Sequence, residues 1–190
     1  MSSIDGVYDL AQRGEMLRVA RASIAHGLRQ GRPLEVRIED FDAALGEPRA
    51  TFVTLNRQGR LRGCIGMLEA QRPLIRDVAE NACAAAFRDP RFPPLTEVEC
   101  DDLALHISVL SPSRALQFAT ENDLLQQLRP GIDGLILSDG ARRGTFLPSV
   151  WEQLPGREQF LAHLKQKAGL PVDYWSDSLV VRRYTTESFS

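Results

Sequence analysis

The sequence predicts an α+β fold, a mainly antiparallel sheet with flanking helices. Three observations lead there. Two pairs of extended segments each meet at a glycine-containing turn, apolar stripes of helical period lie between them, and a strictly alternating strand follows the first pair. With 190 residues, 43% of them hydrophobic and 25% charged, the chain can bury a full core. The expected organisation is a single domain over residues 1–190, with its core at about 9–187 and room for two lobes.

From Asp9 to Gln30, the residues Leu10, Leu17, Ala20, Ile24 and Leu28 share one helical face, and Gly31 supplies the stop. Residues 32–48 show no period and read as connection, with a turn at Gly46–Pro48. ATFVTLNR, Ala50–Arg57, is rich in β-branched residues; Gln58 and Gly59 turn the chain into a return strand from Arg60. The segment LRGCIG, Leu61–Gly66, lies on that return strand. Pro73 suits the first turn of a helix, and Leu74, Val78, Ala82 and Ala85 stripe the small-residue helix that follows. Three prolines force Arg88–Pro94, RDPRFPP, out of the helix as an ordered turn.

Leu103, Leu105, Ile107 and Val109 then alternate with Ala104, His106 and Ser108 in a strand with one buried face, which Pro112 closes. A short helix near Asn122–Leu128 precedes a second hairpin turning at Gly140. Ser149–Leu154 and Arg157–Ala168 read as helices, and LVVRRYT from Leu179 as the final strand.

A formal net charge of -2 removes the electrostatic argument for a general binder of nucleic acid or anionic membrane. No apolar run approaches the roughly 18 residues a bilayer demands. MSSIDGVYDL has neither a basic start nor an apolar signal core, so a cytoplasmic protein is expected. Cys64, Cys83 and Cys100 stand far apart without a CxxC or Cys/His pairing, which implies reduced thiols and no metal site. No P-loop, GxGxxG, HExxH or GxSxG is present, and no cofactor is named by the residues.

The segment that invites chemistry is LRGCIG. Strand alternation places Arg62, Cys64 and Gly66 on one face, with Leu61, Gly63 and Ile65 on the other, toward the core. A guanidinium one strand repeat from the thiol, roughly 7 Å away, would favour thiolate. Gly63 and Gly66 admit a close backbone or ligand, or mark a bulge or tight helix packing, and Cys64 can equally be a small buried hydrophobe. Nucleophilic catalysis needs a base, and of His26, His106 and His163 the best placed is His106, on the polar face of its strand. Arg88, Asp89 and Arg91 can pair locally to fix the proline turn, with their arginines pointing outward. Arg142 and Arg143, before Gly144, form a second basic spot that could hold a carboxylate or phosphate.

In order along the chain, TFVTLNRQGRLRGCIG, ENACAAAFRDPRFPPLT, ISVLSP and GLILSDGARRGTFLPSVW resemble the AMMECR domain family, with LRGCIG as its distinctive signature. The resemblance implies a compact α+β fold with a larger and a smaller lobe. It points to Arg62, Gly63, Cys64 and Gly66, to Arg88–Phe92, and to Gly144 with Pro148. It brings no settled reaction; prokaryotic members resemble the A component of a set, AmmeMemoRadiSam, that includes a Memo-like protein and a radical-SAM enzyme. Many relatives carry a cysteine in the helix ending KAGL, where this chain has Lys165, which counts against a two-cysteine mechanism.

Residues and resemblance together lead to a binding or accessory component. Its Arg62 and Cys64 face, with Gly63, Gly66, Arg88, Arg91, Arg143 and Gly144, would hold a small anionic ligand or a partner protein. The alternative is a thiol-dependent transferase or hydrolase with Cys64 as nucleophile, and RNA contact through scattered arginines ranks third.

Overall fold

The structure, a computed structural model, describes residues 6–190; that part of the N-terminal expectation resting on residues 1–5 lies outside the described residues. The elements in chain order are α1 (Leu10–Gln30), α2 (Ala43–Gly46), β1 (Ala50–Arg57), β2 (Arg60–Gly66), α3 (Leu74–Phe87), β3 (Leu103–Leu110), β4 (Arg114–Ala115), α4 (Glu121–Gln127), β5 (Gly134–Asp139), β6 (Arg142–Phe146), α5 (Arg157–Lys167), β7 (Val180–Tyr184) and β8 (Thr186–Phe189). Short 3-10 turns occupy Ile38–Asp40, Glu97–Asp102 and Pro148–Glu152. The α+β class is as predicted. Two compact units divide the chain: one runs to Leu110 and takes up Glu187–Ser190, the other is Ser111–Thr186. Each has a four-stranded sheet, ordered β2-β1-β3-β8 in the first and β4-β7-β5-β6 in the second.

In the first unit, Asp9 caps α1 by accepting the Gln12 N–H while the Gln12 side chain accepts the Asp9 N–H. Gly31, at φ 67°, ends the helix. The buried stripe is Met16, Val19, Ala20, Ile24 and Gly27, whereas Leu10 is 83% exposed. The stripe therefore starts a turn later than the spacing from Leu10 predicts. The connection after α1 also holds more order than expected, because Asp42 accepts the Ala44 N–H and starts the single turn of α2. Gln58 and Gly59 take φ 52° and 74°, the left-handed pair that a two-residue hairpin turn demands.

Small side chains bring α3 close to the sheet: Val78, Ala79, Ala82, Ala85 and Ala86 are buried against Val53, Leu55, Leu105 and Ile107 in one core cluster. A Cβ on Gly63 would run into the backbone carbonyl of Ala85, so glycine sets the separation of helix and strand there. A buried polar knot ties the other end of α3 to β1. Asp77 accepts the Thr51 N–H at 2.9 Å, the Thr51 hydroxyl at 2.7 Å and the Asn81 amide at 2.8 Å, and pairs with Arg72 at 2.8 Å. With every acceptor position used, the buried carboxylate escapes the cost of an unpaired charge.

The second unit packs α4 and α5 on its own sheet around Leu124, Leu135, Leu137, Phe160 and Leu164, with Trp151 stacked on Phe160 at 3.7 Å between centroids. Lys165 is fully buried, and its Nζ donates to Glu121 at 2.8 Å and to the Val172 carbonyl at 3.1 Å. Two strands escaped the sequence: β4 is two residues long, and β8 is a polar segment whose strand character comes from pairing with β3. Among the described residues no helix is long and apolar enough to cross a membrane.

Gly63→Ala should lower stability to urea by about 1–3 kcal/mol, since α3 must move off the strand. An unchanged unfolding midpoint would show that the helix is not held at contact distance.

Candidate functional site

β2 is an edge strand, and its pairing with β1 slips by one residue. Leu55 faces Gly63 and Asn56 faces Leu61, which leaves Arg62 as the extra residue of a bulge. The slip changes the expected alternation. Gly63 and Ile65 point to the core as predicted, but Leu61 falls opposite Asn56 on the outer face and is 41% exposed. Periodicity cannot register a bulge, so the apolar Leu61 read as a core residue.

The bulged Arg62 is committed. Its Nε and Nη2 donate to the two oxygens of Glu99 at 2.7 and 3.0 Å, leaving Nη1 buried without a partner among the described residues. Thr96 adds its N–H and hydroxyl to the same carboxylate, each at 2.9 Å. Arg62 chiefly, and then the Thr96 N–H, pull the Glu99 carboxyl down to about 2. Arg57 sits 3.7 Å from the same oxygen that Arg62 grips.

The RDPRF turn seals the rest of the edge. Asp89, almost fully buried, accepts the outward N–H of Cys64 at 2.9 Å, and Arg91 donates to the Cys64 carbonyl at 3.5 Å. The two side chains thus do for Cys64 what a neighbouring strand would do. Asp89 also receives Nε and Nη2 of Arg91 at 3.0 and 2.7 Å, so the local ion pair foreseen in this turn forms between Asp89 and Arg91. The guanidinium, with the Cys64 and Arg91 N–H groups, holds the Asp89 carboxyl far below the usual carboxylate range despite burial. Phe92 lies under both arginines, 5.9 Å from Arg62 and 5.5 Å from Arg91.

The Cys64 side chain faces away from the core. Thr54 stands opposite Cys64 on one side and opposite His106 on the other, so the three form one row across β2, β1 and β3. The Thr54 hydroxyl is 3.2 Å from the Cys64 sulfur, and all three residues are half-buried. Phe52 and Asn56 flank Thr54 on the same face, with Leu61 beyond. None of Phe52, Thr54, Asn56, Leu61, Cys64 and His106 carries a carboxylate, guanidinium or ammonium group. Gly66 does not leave an open spot there: a Cβ would strike the Phe52 ring, so the missing side chain makes room for phenylalanine.

Other candidates belong to other elements. Arg88 is exposed at the end of α3, and its charge acts on Cys83, whose thiol burial pushes up. The Cys100 thiol is raised as well, by burial and then by the neighbouring acids Asp101, Glu97 and Glu99. Arg143 and Gly144 belong to β6 of the second unit; Arg143 is exposed opposite Ser138, and Gly144 is buried where a Cβ would meet Ala168 of the α5 end. His163 donates from Nδ1 to the Gln159 carbonyl of its own helix, and His26 has a buried Nε2 in α1. Among the described residues no group of three or more His, Cys, Asp or Glu is placed to hold a metal. Sequence reading missed Glu99 and Thr54. A signal for Glu99 was present, since Thr96–Glu99 has the spacing of a capping box.

A family model described as AMMECR1 matches residues 17–189. The chain is similar to a protein of Thermococcus onnurineus, 40% identical over 188 residues that cover 93% of this chain and 89% of the other. It is similar also to a protein of Methanothermobacter thermautotrophicus, 39% identical over 167 residues, or 85% and 84% of the two chains. Among solved structures, the crystal structure of an uncharacterized protein from Pyrococcus horikoshii superposes with a TM-score of 0.82 at 36% identity, covering 91% of this chain and 88% of that one.

Because the Glu99 carboxyl is depressed in the folded state, its contribution is fully present above the ordinary carboxylate range and lost as pH falls toward about 2. Glu99→Gln should therefore destabilise the protein by about 2 kcal/mol at pH 7, with Arg62 left buried beside a neutral amide. The gap between variant and parent in urea unfolding should close as pH is lowered from about 5 toward 2. A gap independent of pH would dismiss the ion pair as its source.

Proposed function

The chain belongs to the AMMECR1 family, and on that premise we propose that it is a binding or accessory component whose contact surface is the outer face around Cys64. The observation carrying this is the composition of that face. In a chain with 25% charged residues, Phe52, Thr54, Asn56, Leu61, Cys64 and His106 form a patch of apolar and hydrogen-bonding groups without an Asp, Glu, Lys or Arg. Depletion of charge with retention of aromatic and hydrogen-bonding side chains is what the centre of a protein interface has.

The geometry favours a partner protein over a small anion. Arg62 and Arg91 are each matched by a carboxylate, Glu99 and Asp89, which occupies the N–H groups an anion would need. RNA contact loses the same arginines. The resemblance to the A component of a set with Memo-like and radical-SAM proteins supplies the partners to try.

A second reading has one specific observation in its favour. The Cys64 sulfur has a hydroxyl at 3.2 Å and a histidine next in the row, the residue types of a thiol nucleophile with a proton acceptor. Cys64 would then attack an electrophilic carbon and displace its leaving group, which carries away the bonding electron pair, while the thiol proton passes through the Thr54 hydroxyl to His106.

Two measurements separate these readings. Leu61→Asp puts a charge on the exposed part of the patch and should weaken association with a purified Memo-like or radical-SAM protein by tenfold or more in calorimetry. Equal affinity, or no association by the parent chain with either, would end the partner reading. Iodoacetamide labelling read by mass spectrometry tests the other: a nucleophilic Cys64 should outpace Cys83 and Cys100 and slow several-fold in His106→Ala. Labelling indifferent to His106 would leave Cys64 as a contact residue.

A further inference from the structure

A second candidate site lies in the first unit, on α3 and the segment that follows α1. Residues 33–37 are held to the helices through Ser23, whose hydroxyl accepts the Leu34 N–H at 3.1 Å and donates to the Ala79 carbonyl at 2.7 Å. Between this segment and α3 is a cavity of about 490 Å³, lined on one side by residues 32–37, of which Arg32, Glu35 and Arg37 are charged, and on the other by Arg76 and Glu80. That volume is in the range of small-molecule sites.

Most charges around it are spoken for. Arg32 pairs with Glu35 at 2.8 Å, and Arg37 with Glu39 at 3.1 Å. Arg76 and Glu80 are the exceptions. Arg76 reaches the Val36 carbonyl at 3.4 Å, a long hydrogen bond to a neutral group, and its charge acts on Glu39 without a contact ion pair among the described residues. Glu80 meets Nη1 of Arg72, the nitrogen that Asp77 leaves over, at the long distance of 3.8 Å. These two weakly engaged charges of opposite sign stand one helical turn apart, about 5–6 Å at their Cβ atoms, across from Pro33 and Leu34.

We infer that this cavity binds a free amino acid with an apolar side chain. Its carboxylate is received by Arg76, which offers two parallel N–H groups. Its ammonium is received by Glu80, and its side chain rests on the half-buried Pro33 and Leu34. The inference is independent of the Cys64 face.

The test is calorimetric titration of the full chain with leucine, N-acetyl-leucine and leucine amide, repeated on Arg76→Gln and Glu80→Gln. Leucine should bind saturably, and removing either charge from ligand or protein should weaken it about tenfold or more, as expected for a charge-assisted contact. Arg76 is exposed and Glu80 half-buried, so both variants should melt like the parent. Absence of saturable binding overturns the inference. So does N-acetyl-leucine binding as well as leucine with no effect of Glu80→Gln, which would make the cavity a plain anion site. Binding unchanged in both variants would place leucine elsewhere and overturns it equally.

Discussion

Everything on the Cys64 side of the first unit depends on how near α3 comes to β2. The absence of a side chain at Gly63 lets the Ala85 backbone lie against the strand, and the run of alanines keeps the rest of the helix at that distance. The helix then ends at Arg88, and the next residue is already within reach of the strand edge, where Asp89 takes the Cys64 N–H. A helix set further out by one methyl group would carry that carboxylate away from its partner. The two marked segments, LRGCIG and RDPRF, are thus parts of one packing arrangement.

That arrangement explains why so many charged residues gather at a site with so little net charge. Arg91 is needed by Asp89, and Arg62 by Glu99, because a carboxylate cannot sit under a turn or a 3-10 cap without a partner. The arginines act as scaffold, closing an edge that would otherwise present bare N–H and carbonyl groups. The row of Cys64, Thr54 and His106 lies on the face that these ion pairs do not occupy. Motif arginines beside a cysteine say nothing in one dimension of the carboxylates that Arg62 and Arg91 meet in space.

Much of the fold was legible in the sequence, for reasons of local physics. The hairpins were visible because β-branched runs and a Gln58–Gly59 turn are local signals, and β1 runs over Ala50–Arg57 as the pattern implied. α3 was visible through its apolar stripe. What escaped depended on distant partners: the bulge at Arg62 exists only relative to β1, and β8 is a strand because β3 lies beside it. At the site, the orientation of Cys64 and the place of His106 on a polar face followed from alternation, but Leu61 was assigned to the wrong side. The pairing of Arg62 with Glu99, 37 residues away, lay beyond any spacing rule.

The order of strands has a consequence for how the chain is made. The first unit stops at Leu110 and resumes at Glu187, so its sheet receives β8 only after the whole of the second unit has been synthesised. Until then β3 is an outer strand with one row of backbone groups unmet, in a segment of alternating Leu, Ile and Val. Vectorial synthesis therefore exposes an adhesive edge for the time needed to translate some seventy-six further residues, Ser111–Thr186. For a nascent chain of this kind, the interval between the third strand and the last is the one in which a chaperone has most to protect.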